Sequence, residues 1–209
     1  RASAFRHCTS LKSIQLPDEL LFVGSRAFQS CSALETVQFN EKLQVISQSA
    51  FQDCTALRLA VLPESLQLLE SSAFQGCTSL SMAVLAGSTL PEIPENAFSG
   101  CSMLEYVTMS NSVKKIGASA FSNCINLRSM TFPTALTEIG EYAFSMCTNL
   151  KNLTIPETVE TVGKDAFFNS GWSLQQSSSW KICDGVLLEY CGETSEIVIP
   201  PTVRLIATG

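Results

Sequence analysis

Histidine is almost missing from this chain: His7 is the only one in 209 residues. Charge is sparse as well, with 15% charged residues against 45% hydrophobic ones. A single histidine leaves any serine or cysteine nucleophile elsewhere without the imidazole base such chemistry uses. His7 adjoins Cys8, but neighbouring residues point apart and do not make a catalytic pair. No glycine-rich phosphate loop and no His-Glu-x-x-His motif occurs. These absences argue against an enzyme, and the reading calls for no cofactor and no metal. The basic excess that a nucleic-acid surface needs is lacking too: 13 Lys and Arg stand against 19 Asp and Glu, a formal net charge of −6. No apolar run is long enough to insert into a membrane. No signal peptide is visible, and the chain opens with Arg-Ala-Ser-Ala-Phe, already inside the pattern described next.

What the chain does have is one phrase written repeatedly. Ala-Phe pairs end at Phe5, Phe28, Phe51, Phe74, Phe98, Phe121, Phe144 and Phe167, at steps of 23 residues with a single step of 24. A fixed period of this size marks a solenoid. Three residues after the Phe stands a cysteine (Cys8, Cys31, Cys54, Cys77, Cys101, Cys124, Cys147). Three further on stands a leucine, from Leu11 to Leu150. Apolar residues then alternate, as in Val37 and Phe39 or Val107 and Met109, which is the period of a strand with one buried face. Pro17, Pro63, Pro133 and Pro156 end that strand. A second apolar pair follows, such as Leu136 and Ile139, and Gly24, Gly117, Gly140 or Gly163 turns the chain. Each repeat therefore reads as a short helical turn, a strand, a Pro turn, a second extended piece and a Gly turn. No repeat can bury its apolar side alone, so stacking must build the core.

The phrase Ala-Phe-x-x-Cys-x-x-Leu, followed by the alternating strand, Pro and Gly, resembles the BspA-type leucine-rich repeat across residues 1–167 and again at 199–206. The resemblance implies a mostly β repeat solenoid with short helical turns, curved and right-handed, with a parallel sheet on its concave face. Members of that family are commonly cell-surface or secreted proteins, several of them adhesins that bind partner proteins.

The pattern breaks twice. The fourth repeat has one extra residue in Ala-Gly-Ser-Thr-Leu-Pro, which should bulge a turn on one edge. The eighth carries Ser170 where the cysteine belongs, and an insertion. Within it Asp184-Gly185 between apolar runs signals a β-hairpin. The chain thus divides into an array at 1–167, an irregular repeat with a hairpin at 168–198, and the start of another repeat at 199–209. It begins and ends in mid-repeat and reads as a segment of a longer array.

The cysteine column reads as small buried side chains, since ligands one repeat apart form a line and not a tetrahedron. In the hairpin Cys183 should face Val186 and not Cys191, although an oxidising compartment leaves a disulfide between the two open. Glu189, Glu193 and Glu196 read as a solvated edge. Asn152-Leu153-Thr154 is a glycosylation sequon on a strand. The outward strand positions carry the most information. They are polar at both ends of the array (Ser13, Gln15, Thr36, Gln38, Ser129, Thr131, Asn152, Thr154) and apolar in the middle, at Leu59, Val61, Met82, Val84 and Tyr106. Contiguous exposed apolar surface marks contact sites, so these five are the candidate ligand-binding patch. The competing reading is a local pleat shift that tucks Leu59 or Met82 inward over the small Ala60 and Ala83. The function expected is non-enzymatic recognition of a protein ligand, or self-association, by a surface or secreted protein. A structural spacer or coat element and a cytoplasmic scaffold are the alternatives.

Overall fold

Eight Ala-Phe pairs at this spacing can share one core only if each turn of chain lies on the next. The computed structural model, which describes residues 2–208, is a β-solenoid built in that way. Its spine is a single stack of phenyl rings. Neighbouring centroids from Phe5 to Phe167 are 5.1–5.5 Å apart and their planes lie within 8° of parallel. The five rings from Phe51 to Phe144 are fully buried, whereas Phe5 at the first end is 43% exposed. Offset stacks of this kind contribute about 0.5–1.5 kcal/mol each beyond the area they bury.

The segment carrying Ala-Phe is a chain of tight turns. In every repeat the residue two before the Phe and the residue two after it have positive φ, from Ser3 and His7 to Asp165 and Asn169. Among these only Gly76 and Gly100 are glycine, and each of the others costs roughly 1–2 kcal/mol. Hydrogen bonds offset that cost. In the third repeat the amides of Ser49, Phe51 and Asp53 donate to the next repeat's Ser71, Ala73 and Gln75 carbonyls at 2.8–3.0 Å. The amides in between, Ala50 and Gln52, close turns onto Ser47 and Ser49 within their own repeat. The alternation leaves no amide of the segment unpaired. Gly140 and Gly163 serve a different need from the chain reversal expected of them. A Cβ on Gly140 would meet the Ala118 nitrogen at 2.6 Å, and one on Gly163 would meet the Glu141 nitrogen at 2.4 Å, so both permit close approach of backbones.

The cysteine column is buried from Cys31 to Cys147 and all of its thiols are free. It also makes a bond that packing alone does not require. Each thiol donates to the Phe carbonyl of the preceding repeat: Cys31 to Phe5, Cys54 to Phe28, Cys77 to Phe51, Cys101 to Phe74, Cys124 to Phe98 and Cys147 to Phe121, at 2.9–3.2 Å. The same carbonyls accept the cysteine amide of their own repeat, as Phe51 does from Cys54. Burial pushes these thiols up, Cys54 and Cys147 to about 12.

The strands lie in two parallel columns. The first holds Ser13–Gln15, Thr36–Gln38, Leu59–Val61, Met82–Val84 and Tyr106–Thr108. It is not one sheet. Ser13–Gln15 pairs only with Thr36–Gln38, and the other three form a separate sheet. The seam between Gln38 and Leu59 has a physical cause next to it. Phe39 occupies a position that is leucine in the repeats on either side (Leu16, Leu62), and its ring packs edge-on against Phe51 at 5.7 Å. Phe132 does the same to Phe144, and residues 129–131 around it form no strand. The second column holds Phe22–Val23, Val45–Ile46 and Leu68–Leu69, then separately Glu92–Ile93, Lys115–Ile116, Glu138–Ile139 and Thr161–Val162. The break after Leu69 coincides with the extra residue, which falls between Leu85 and Leu90 where the previous repeat runs from Leu62 to Leu66.

At the eighth repeat Ser170, in place of cysteine, caps a one-turn helix, Gly171–Gln175, by accepting from the Ser173 amide at 3.2 Å. Trp180–Cys183 and Val186–Tyr190 then form the expected hairpin, with Asp184 and Gly185 both at positive φ. Cys183 faces Val186, while the Cys191 amide bonds the Ser179 carbonyl. Leu205–Ile206 adds in parallel to Val186–Tyr190. Arg204 ties the hairpin to the seventh repeat by donating to the carbonyls of Asp184, Val159 and Pro156 at 3.0–3.1 Å. The Asp184 carboxylate accepts from the Ile155 amide at 2.7 Å.

Two outcomes are expected. Phe121→Ala should cost about 3–5 kcal/mol in denaturant unfolding of this 209-residue chain, and Phe5→Ala far less, because among the described residues Phe5 stacks on Phe28 alone and is 43% exposed. Equal losses would show that the stack does not carry the core. The raised thiols make stability depend on alkaline pH. The unfolded chain ionises its thiols near 9, whereas burial holds Cys54 and Cys147 near 12 and Cys77, Cys101 and Cys124 well above their ordinary value, so their contribution is complete below pH 9 and is lost progressively as pH climbs above it. Urea melts from pH 8 to 11 should show this fall, and replacing Cys77, Cys101 and Cys124 by Ala should flatten it.

Candidate functional site

The five candidate patch residues come from one sheet. Pairing sets Leu59 beside Met82 and Val61 beside Val84, and then Met82 beside Tyr106. Side chains in such register stand about 4.8 Å apart across strands. Leu59 is 46% exposed, Val61 50%, Met82 38% and Tyr106 46%, and Val84 is half-buried. Their inward partners Ala60 and Ala83 are fully buried. The pleat is regular, so the alternative in which Leu59 or Met82 tucks inward is overturned. The alanines already occupy the space available.

Charge is distributed unevenly around the patch. On one side, ahead of the strands, Arg58 pairs with Glu35 at 3.5 Å and Arg128 with Glu105 at 3.4 Å. On the other side, past the strand ends, stand Glu41 and Glu64, both exposed. Among the described residues neither has an ion-pair partner; nearby Lys42 pairs with Glu19 instead. A groove lies at this edge, lined by Val37, Gln38, Phe39, Val61, Val84 and Gly87 together with both glutamates. It opens over the seam in the sheet. Gly87, beside the extra residue, leaves room for the Glu64 side chain, whose Cγ lies 2.6 Å from where a Cβ would stand.

The remaining candidates do not assemble into a reaction centre. Exposed His7 lies in a left-handed turn, its amide bonded to Gln29. Among the described residues no group of three or more His, Cys, Asp or Glu could hold a metal ion, and no helix is long and apolar enough to cross a membrane. Asn152 and Thr154 of the sequon are exposed as expected, but residues 151–156 form no strand. In the hairpin Glu189 bonds both Lys181 and Cys191. The Lys181 ammonium first, then the Cys191 thiol, hold its carboxyl below the usual range. The Glu189 carboxylate in turn raises the exposed Cys191 thiol. The acidic groove escaped the sequence reading. Its signal was present in Asp18, Glu41 and Glu64, acidic residues at one repeat position, but only the fold sets that column beside the patch.

A model of the BspA type leucine rich repeat region matches residues 1–88 and 83–186. Among solved structures, a leucine-rich repeat protein from Eubacterium ventriosum is 25% identical with a TM-score of 0.72, over 82% of this chain and 45% of its own. The leucine rich repeat protein of T. pallidum is 30% identical with a TM-score of 0.59, over 82% of this chain and 69% of its own. A leucine rich cell surface protein from Faecalibacterium prausnitzii is 26% identical with a TM-score of 0.52, over 81% of this chain and 54% of its own. The chain therefore corresponds to roughly half to two thirds of these proteins. No curated protein matches it.

Alkylation of the native protein should separate the thiols. Cys191 should react first, and Cys31 through Cys147 only on unfolding. Glu189→Gln should speed the Cys191 reaction several-fold at pH 8, because removing the carboxylate lowers the thiol toward its ordinary value. Mass spectrometry of timed samples checks both, and labelling of the column at the rate of Cys191 would contradict the buried ladder.

Proposed function

The chain belongs to the BspA-type leucine-rich repeat family, and we propose that it is a recognition module of a surface or secreted protein that binds a protein ligand and catalyses nothing itself. The observation that carries this reading is the apolar patch of Leu59, Val61, Met82, Val84 and Tyr106, centred on a face that is otherwise polar. Tyr and Met provide large, adaptable contact area. Polar residues such as Gln38 and Ser129 supply a rim of the kind that surrounds the buried centre of protein interfaces. Placement at a cell surface is carried over from the printed name of the Faecalibacterium prausnitzii relative.

Selection of a random peptide library on the immobilised protein tests the reading. Selected clones should lose binding to a Met82→Asp/Tyr106→Asp variant and keep it with Ile125→Asp, which changes an exposed apolar residue elsewhere. Thermal melting should be unchanged in both, because none of these side chains enters the Phe stack. Clones that bind all three proteins equally would overturn the concave site and favour a spacer.

A further inference from the structure

We infer that the ligand of this patch is a cationic, extended segment, whose apolar side chains cover Met82 and Tyr106 while a Lys or Arg side chain enters the groove between Glu41 and Glu64. The inference rests on the reading of the patch as the binding site and adds the chemistry of its occupant.

Three observations lead to it. The first is the sign of the charge left over. Beside the patch itself, the two arginines ahead of the strands, Arg58 and Arg128, are already paired with Glu35 and Glu105, so the charge at that edge is balanced and a partner gains little there. Glu41 and Glu64 have no such partner among the described residues. They flank a groove of about 460 Å³, within the size range of ligand clefts. The second is the lining. Val37, Val61 and Val84 give the groove apolar walls and the two carboxylates give it an acidic mouth. That combination suits the aliphatic stem and charged head of a Lys or Arg side chain. The third is the size and charge of the whole. Five side chains across three strands of three residues each form a narrow strip, smaller than the roughly 800 Å² per partner of a stable dimer interface. A second copy would also bring its own net charge of −6 against the same carboxylates. A basic segment meets no such opposition.

Two ten-residue probe peptides distinguish the outcomes, one alternating Leu and Lys and one alternating Leu and Glu. Binding is read by fluorescence anisotropy at 20 and 150 mM salt. The Lys peptide should bind the wild-type protein about tenfold more tightly than the Glu peptide at low salt, with the gap narrowing at high salt. Glu41→Gln/Glu64→Gln should remove most of that gap. Met82→Ser/Tyr106→Ser should weaken both peptides alike. Equal binding of the two peptides, or a gap that survives in Glu41→Gln/Glu64→Gln, overturns the cationic occupant while leaving the apolar patch standing. Lys-peptide binding that ignores Met82→Ser/Tyr106→Ser but disappears in Glu41→Gln/Glu64→Gln overturns the patch itself. A dimer in sedimentation velocity that dissociates in Met82→Ser/Tyr106→Ser and persists in Glu41→Gln/Glu64→Gln overturns the proposal in favour of a second copy.

Discussion

The Phe carbonyl is the point on which each repeat is registered against its neighbours. It accepts the cysteine amide of its own repeat and the thiol of the next. The ring of the same residue stacks on both adjacent rings. A displaced repeat would break the carbonyl bonds and the ring contacts together. Because buried carbonyls and ring faces are costly to leave unmatched, the spacing of 23 residues is held tightly where the core is concerned. Even the extra residue of the fourth repeat is absorbed outside it: Phe74 and Phe98 remain stacked at 5.5 Å, and Cys101 still reaches the Phe74 carbonyl.

That tight registry has a local cost. Keeping three amides per repeat aimed at the next one forces two residues per turn into the left-handed region. Ser, Asn, Asp and Gly fill most of these positions, the types that tolerate it by size or local hydrogen bonding. His7, Arg26, Tyr142 and Met146 are the exceptions, each held by an amide bond to the following repeat. Solenoid stability is nearest-neighbour, so strain at Tyr142 is borne by its own repeat and the one after it.

The solenoid, the Phe stack, the buried thiols and the hairpin were legible in the sequence because each is a column or a turn signal that repetition or spacing displays. The outward orientation of Leu59 and Met82 was legible only as one of two alternatives, since period-two alternation does not say how far a small residue such as Ala60 fills the interior. Other features were hidden for physical reasons. Positive φ at Arg26 or Met146 has no residue signature, because tertiary hydrogen bonds impose it. The thiol-to-carbonyl bond is indistinguishable in sequence from a preference for small buried side chains. The seam beside Phe39 depends on one ring being larger than the leucines around it, and the same side chain reads equally well as an ordinary inward strand residue. The hold of Arg204 on the seventh repeat joins residues 45–48 apart, across an insertion whose path no local pattern specifies.

Inward positions are constrained by stacking, and outward ones are not. That difference gives the apolar strip its meaning. Leu59, Val61, Met82 and Tyr106 do nothing for the core, whose places behind them are filled by Ala60, Ala83 and Val107. Exposed together, they lower solubility and offer nothing to folding, and threonine, serine or glutamine serves equally well at the same positions in the first, second and sixth repeats. Nothing within the fold accounts for their being apolar, and the proposed contact with a partner starts from that. The acidic groove at the edge of the strip follows the same logic. Lys42 lies next to Glu41 in sequence yet turns to Glu19, which leaves Glu41 and Glu64 without an ion-pair partner among the described residues.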